Sequence, residues 1–138
     1  MQNINTQGKT ALGLDANIGA LICYVGNFVC SFGLIYSIIV VATDKTNKLV
    51  RFHAFQSIVC SVFGIVFGAI AAVIGAVAGV IDGLIGFPLL SLVIGLVLIV
   101  MALVVFVMFI KAAMSAYRGE IYKIPVIGNL AEKWSATA

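Results

Sequence analysis

Three long apolar stretches, at about 18–42, 58–81 and 89–110, alternate with short polar segments along this 138-residue chain. Each reaches the roughly 20 apolar residues that a membrane-crossing helix needs. None contains Lys, Arg, Asp, Glu or His. The pattern predicts an all-α integral membrane protein: a three-helix bundle with an amphipathic lead-in to helix 2 and a short interfacial C-terminal helix. Residues 1–15 read as a mobile or surface-lying lead. Residues 16–138 read as a single membrane domain with an interfacial tail at 119–138.

Two of the stretches carry small residues at steps of 3 and 4. The first runs through Gly19, Cys23, Gly26, Cys30 and Gly33, the second through Gly64, Gly68, Ala71 and Gly75. Those steps keep each set near one seam of a helix, where small side chains let another backbone approach closely. These nine residues are the candidate packing positions. The third stretch is bulkier, with only Ser91, Gly95 and Ala102 as small residues. It would supply knobs to the smooth faces or meet lipid. At about 25 residues the first span exceeds a 30 Å core, so some tilt or protrusion of that helix is expected. Asn27 lies in its middle and needs a hydrogen-bond partner there.

The turn between the second and third stretches, Asp82-Gly83 to Gly86-Phe87-Pro88, is tight, and Pro88 suits the first turn of a helix. Asp82 reads as a solvated turn residue. Gly119 marks the end of the third helix. Before the second stretch, His53, Gln56 and Ser57 share one helix face, while Phe52, Phe55 and Val59 share another. In the tail, Pro125 and Gly128 punctuate the chain, and Asn129 with Glu132 has capping-box spacing. A short helix from about 130 is expected to lie on the membrane through Leu130 and Trp134.

Charge refines the picture. The chain has 8 Lys/Arg against 5 Asp/Glu. Seven of those eight cations fall between the first two stretches or after the third; Lys9 is the exception. The positive-inside rule then predicts a multi-pass protein of the cell (inner) membrane with N-terminus outside and C-terminus cytoplasmic. A mean hydropathy of +1.22 with 9% charged residues excludes an ordinary soluble domain. Such sparse charge is a topology signal and no nucleic-acid surface. The polar start lacks the build of a signal peptide, so the first span is expected to be retained. Cys23, Cys30 and Cys60 read as packing residues. The sequence shows no phosphate loop, metal-ligand set or intramembrane carboxylate pair, so no cofactor, small-molecule substrate or catalytic residue is expected.

Two segments carry a family resemblance. Val50-Arg51-Phe52-His53-Ala54-Phe55-Gln56-Ser57, preceded by Asp44-Lys45, resembles one motif. Ala116-Tyr-Arg-Gly-Glu120, followed by Lys123-Ile-Pro-Val-Ile-Gly-Asn-Leu-Ala-Glu132, resembles the other. Both are similar to small bacterial and archaeal Tic-twenty-like membrane proteins of unknown function, distantly similar to a chloroplast inner-envelope import component. The resemblance implies a compact bundle of three spans and no catalytic residues. It also points to a face of Arg51, His53 and Gln56 docking against Pro125, Gly128 and Glu132.

The first functional expectation is a non-enzymatic protein with a helix-packing or assembly role. It would work in the lipid bilayer as a homo-oligomer or an accessory subunit among other membrane helices. The alternative is a transport or translocation component. Its polar path would have to use Asn17, Asn27, Ser31, Ser37, Ser57 and Ser61.

Overall fold

The computed structural model describes residues 8–29, 31–45 and 47–137, and all of its regular elements are helical apart from one isolated bridge between Lys9 and Asp15. They are α1 (Ala16–Val25), a 3-10 turn (Gly26–Phe28), α2 (Phe32–Thr43), α3 (Lys48–Ile85), α4 (Leu89–Tyr117) and α5 (Ile127–Thr137). α3 and α4 are long and apolar enough to cross a membrane. The described residues fall into two compact units. One holds the chain up to Ser61 together with everything from Met108; the other is Val62–Val107.

In the first unit the stretch at 18–42 is not one helix. α1 and α2 have 10 and 12 residues. At 1.5 Å per residue each is about 15–18 Å long, roughly half a hydrocarbon core. The helix stops at Gly26. Ser31 then takes a left-handed conformation, φ 62°, and α2 returns alongside α1. Glycine permits the return. A Cβ on Gly26 would lie 2.7 Å from the Gly33 nitrogen, and one on Gly33 would lie 2.5 Å from the Asn27 nitrogen. Neither gap admits a methyl group. Gly19 is similarly crowded by Thr10 and the Tyr36 hydroxyl. The first small-residue seam therefore joins the chain to itself.

This reversal replaces the single tilted helix expected over 18–42. The lead folds into a turn in which the Ala16 amide donates to the Gly8 carbonyl, and the Ala11 amide donates to Asp44 Oδ2 at 3.1 Å. The Asn17 side-chain amide donates to the Tyr117 carbonyl at 3.2 Å. The lead and the start of α1, the residue after α2 and the end of α4 thus meet at one end of the unit. Outward apolar side chains such as Phe28 (60% exposed) and Phe32 (62%) require a non-aqueous surrounding.

α4 ends in a left-handed glycine cap. Gly119 has φ 74°, its amide donates to the Ala116 carbonyl, and the Glu120 amide donates to the Ser115 carbonyl. The tail then turns at Pro125-Val126. Gly128 passes so close to Lys123 that a Cβ would fall 2.6 Å from the Lys123 Cα. α5 starts three residues earlier than the expected position near 130.

In the second unit, α3 and α4 are joined by 86–88. Asp82 is buried there, contrary to the solvated turn expected. Its carboxylate accepts the amides of Leu90 (2.9 Å) and Ser91 (2.7 Å) in the first turn of α4. Those amides have no partner within their own helix. The least exposed positions of this stretch of α3 are Ala71, Ala78 and Asp82. Gly68, Gly75, Gly79 and Gly83 sit about 40–120° to one side of Ala71, at 100° per residue. A Cβ on any of them, or on Gly64, would meet nothing within 4 Å.

Gly33→Ala is expected to destabilise the chain by about 1–3 kcal/mol, because the methyl must displace backbone. Gly95→Ala, where a Cβ also meets nothing, is expected to be neutral or to stabilise by up to about 1 kcal/mol through helix propensity. Unfolding titrations in mixed micelles compare the two. Equal stabilities would contradict the close approach at Gly33.

Candidate functional site

The chemistry of the first unit is concentrated where α3 begins. Residues 49–54 are buried on every face of the helix, and among them lies His53. Its Nδ1 is 2.9 Å from the Tyr24 hydroxyl, and its Nε2 is 3.0 Å from the Glu120 carbonyl oxygen. A carbonyl only accepts, so Nε2 carries the proton and Nδ1 accepts from Tyr24. The Tyr24 hydroxyl in turn accepts from Gln56 Nε2 at 2.9 Å. Gln56 Nε2 also donates to the Tyr122 carbonyl at 3.1 Å, and Gln56 Oε1 accepts the Ile124 amide at 3.3 Å. A neutral imidazole in one tautomer satisfies the whole set.

The network ties three segments that are far apart in sequence. Tyr24 comes from α1, His53 and Gln56 from α3, and the two carbonyls and one amide from the tail. Backbone groups buried without partners cost about 1–3 kcal/mol each, so two side chains on successive turns of α3 hold an irregular strap in place. Edge-on contacts of Tyr24 with His53 and Phe109, with centroids 5.6 and 5.1 Å apart, fix the ring between them.

A second group lies one turn further along α3. Asn27 Nδ2 donates to the hydroxyls of Ser57 (3.0 Å) and Ser61 (3.3 Å), and Ser57 Oγ donates to the Cys23 carbonyl at 2.6 Å. That carbonyl belongs to the last turn of α1, where helical partners run out. The break in the first apolar stretch is thus bonded by α3.

The structure brings His53 and Gln56 onto the tail, but onto the backbone of 120–124, just upstream of the expected Pro125–Glu132 stretch. Pro125 forms the turn, Gly128 backs against Lys123, and Glu132 pairs with Lys123 on the surface at 2.7 Å. Arg51 stands apart from the network. It is buried, its guanidinium lies 6.0 Å from the Phe55 ring centroid, and its Nε has no hydrogen-bond partner among the described residues. Among the packing candidates, Gly19, Cys23, Gly26 and Gly33 lie in the hairpin, Ala71 is half-buried, and Gly64, Gly68 and Gly75 face open space. Cys30 lies outside the described residues. Of the six candidates for a polar path, Asn17, Asn27, Ser37, Ser57 and Ser61 make internal hydrogen bonds. Sequence reasoning missed Tyr24. The signal was a phenol hydroxyl within an apolar run, which must find a partner when buried.

Among the described residues no three His, Cys, Asp or Glu side chains group as a metal site. Comparison with known proteins gives the lineage. The sequence profile of the magnetosome magnetite crystal formation protein family matches residues 15–131. The chain belongs to that family. Tyr24, His53, Gln56 and the 120–124 strap all lie inside the matched stretch, as do the Val50–Ser57 segment and the tail up to Ala131; the comparison carries no link to the Tic-twenty-like proteins. A UPF0132 membrane protein of Methanocaldococcus jannaschii is 37% identical over 134 residues, covering 93% of this chain and 96% of its own. A second UPF0132 membrane protein of that organism is 28% identical over 131 residues, covering 90% and 73%. No solved structure matches. With its two long apolar helices, this member of the family is a membrane protein.

Gln56→Ala removes three bonds at once. Amide exchange at Ile124 is expected to accelerate at least about tenfold, the equivalent of one lost bond of about 1.4 kcal/mol, and proteolysis after Lys123 is expected to become faster. An unchanged exchange rate at Ile124 would show that the tail is held by something else.

Proposed function

We propose that this chain is a non-enzymatic membrane assembly protein that works as a homo-oligomer through the glycine flank of α3. One observation carries the reading. Gly64, Gly68, Gly75, Gly79 and Gly83 expose backbone along about five turns of a helix, and among the described residues nothing comes within 4 Å of a Cβ placed on any of them. In a bilayer such a surface associates by close backbone packing, because lipid removes the hydrophobic drive between helices. In this reading the process named in the family description is served by membrane assembly, not by a reaction at this chain.

The orientation belongs to the same proposal. All eight Lys/Arg lie in the unit that holds both ends of the chain, and Val62–Val107 contains none. The positive-inside rule then assigns the lead, the α2–α3 connection and the tail to the cytoplasmic surface, with α3 and α4 as two spans. The polar network closes that surface over the hairpin.

Replacing Gly68 and Gly75 together by Ile fills the flank with two branched side chains. In native nanodiscs or gentle detergent the wild-type chain is expected to cross-link to itself. The Gly68→Ile/Gly75→Ile variant is expected to lose at least about tenfold in self-affinity, roughly 1.4 kcal/mol, with its helicity kept. A wild-type chain that is monomeric under those conditions would overturn the proposal.

A further inference from the structure

A groove of about 490 Å³ runs along the first unit between α1 and the C-terminal part of α4. Leu21 and Val25 form one wall, Ile110 and Met114 the other, and the half-buried Ala113 lies between them. At one end stand Phe28 and Phe109, which meet edge-on with centroids 5.6 Å apart. The other end opens at Tyr117 and Arg118, where α4 finishes. From residue 109 to residue 118 the helix rises about 13 Å. An extended chain advances about 1.2 Å per bond, so the groove has room for about eleven methylenes.

The two ends differ in a way that selects an occupant. The lining between them is apolar and offers no hydrogen bond, so an extended peptide would leave its amides unpaired. Among the described residues Arg118 makes no ion pair; the recorded one joins Lys123 to Glu132. Its exposed guanidinium stands where an apolar slot reaches the polar interface, and guanidinium binds phosphate through two parallel hydrogen bonds. We propose that this groove holds one acyl chain of an anionic phospholipid whose phosphate pairs with Arg118. The site is separate from the glycine flank and does not rest on the assembly reading.

The test uses the full chain in nanodiscs containing photoactivatable phosphatidylglycerol or phosphatidylcholine, with a diazirine in the acyl chain. Phosphatidylglycerol is expected to label Leu21, Val25, Phe28 and residues 109–114 in the wild-type chain. Ala113→Phe fills the slot and is expected to lower that labelling by about tenfold, with the milder Ala113→Leu in between. Arg118→Gln is expected to lower phosphatidylglycerol labelling by about tenfold, while phosphatidylcholine labelling stays as it was. Labelling of the wild-type chain spread evenly along the outward face of α4 between 92 and 107 would overturn the proposal, and needs no variant to fold. So would unchanged yields in Ala113→Phe, equal losses of both lipids in Arg118→Gln, or cross-links at the groove to a second copy of this chain.

Discussion

Backbone that leaves a helix in a low-dielectric surrounding has no water to bond to, and the first unit is organised around that constraint. It arises twice. The apolar stretch at 18–42 breaks after Val25, which strips partners from the last carbonyls of α1. The tail beyond Gly119 runs as an irregular strap past buried helices. Both faults are repaired from the same source, the opening turns of α3. Ser57 and Ser61 serve the break through Asn27 and the Cys23 carbonyl. His53 and Gln56 serve the strap, with Tyr24 between them. A polar face on one helix thus permits two departures from helical geometry among buried apolar side chains.

The same economy separates the two small-residue seams. Gly19, Gly26 and Gly33 are occupied by the chain's own backbone and side chains, so their role is internal. Among the described residues the glycines of α3 beyond Ser61 have no such neighbour. They lie on a helix whose intramolecular face is made by Ala71, Ala78 and Asp82. A seam that the fold leaves empty is available to another helix, and this asymmetry supports the assembly reading.

Much of this was legible in the sequence. Hydropathy found the apolar parts of α3 and α4, and Gly119 and Pro125 marked the ends and turns where they stand. The Arg51–Ser57 and tail motifs pointed to a contact between them, which the structure realises through His53 and Gln56. The reversal at 26–31 was not legible from hydropathy, because a hairpin of two half-length helices has the same composition as one tilted helix. The local signals were Gly26-Asn27 and Ser31 inside an apolar run, all turn formers. Under the proposed orientation a returning chain also changes the parity of crossings, so the expected side of the N-terminus depends on this reversal. Arg51 was grouped with His53 and Gln56 by the motif they share, yet at about 100° per residue it points roughly 160° from His53 and 140° from Gln56 on the helix, and it joins no hydrogen bond of the network. Asp82 gave no sign of burial, because its partners are backbone amides rather than side chains.

The central claim is that the first apolar stretch enters and returns, leaving the lead and the tail on one membrane face. The most direct measurement is labelling of Leu12→Cys and Ala136→Cys, each at an exposed position, with a membrane-impermeant maleimide. Intact cells and inverted vesicles are compared, with the parent chain as background. The account predicts that both positions label in inverted vesicles and neither in intact cells. Labelling of the two positions from opposite faces would contradict it.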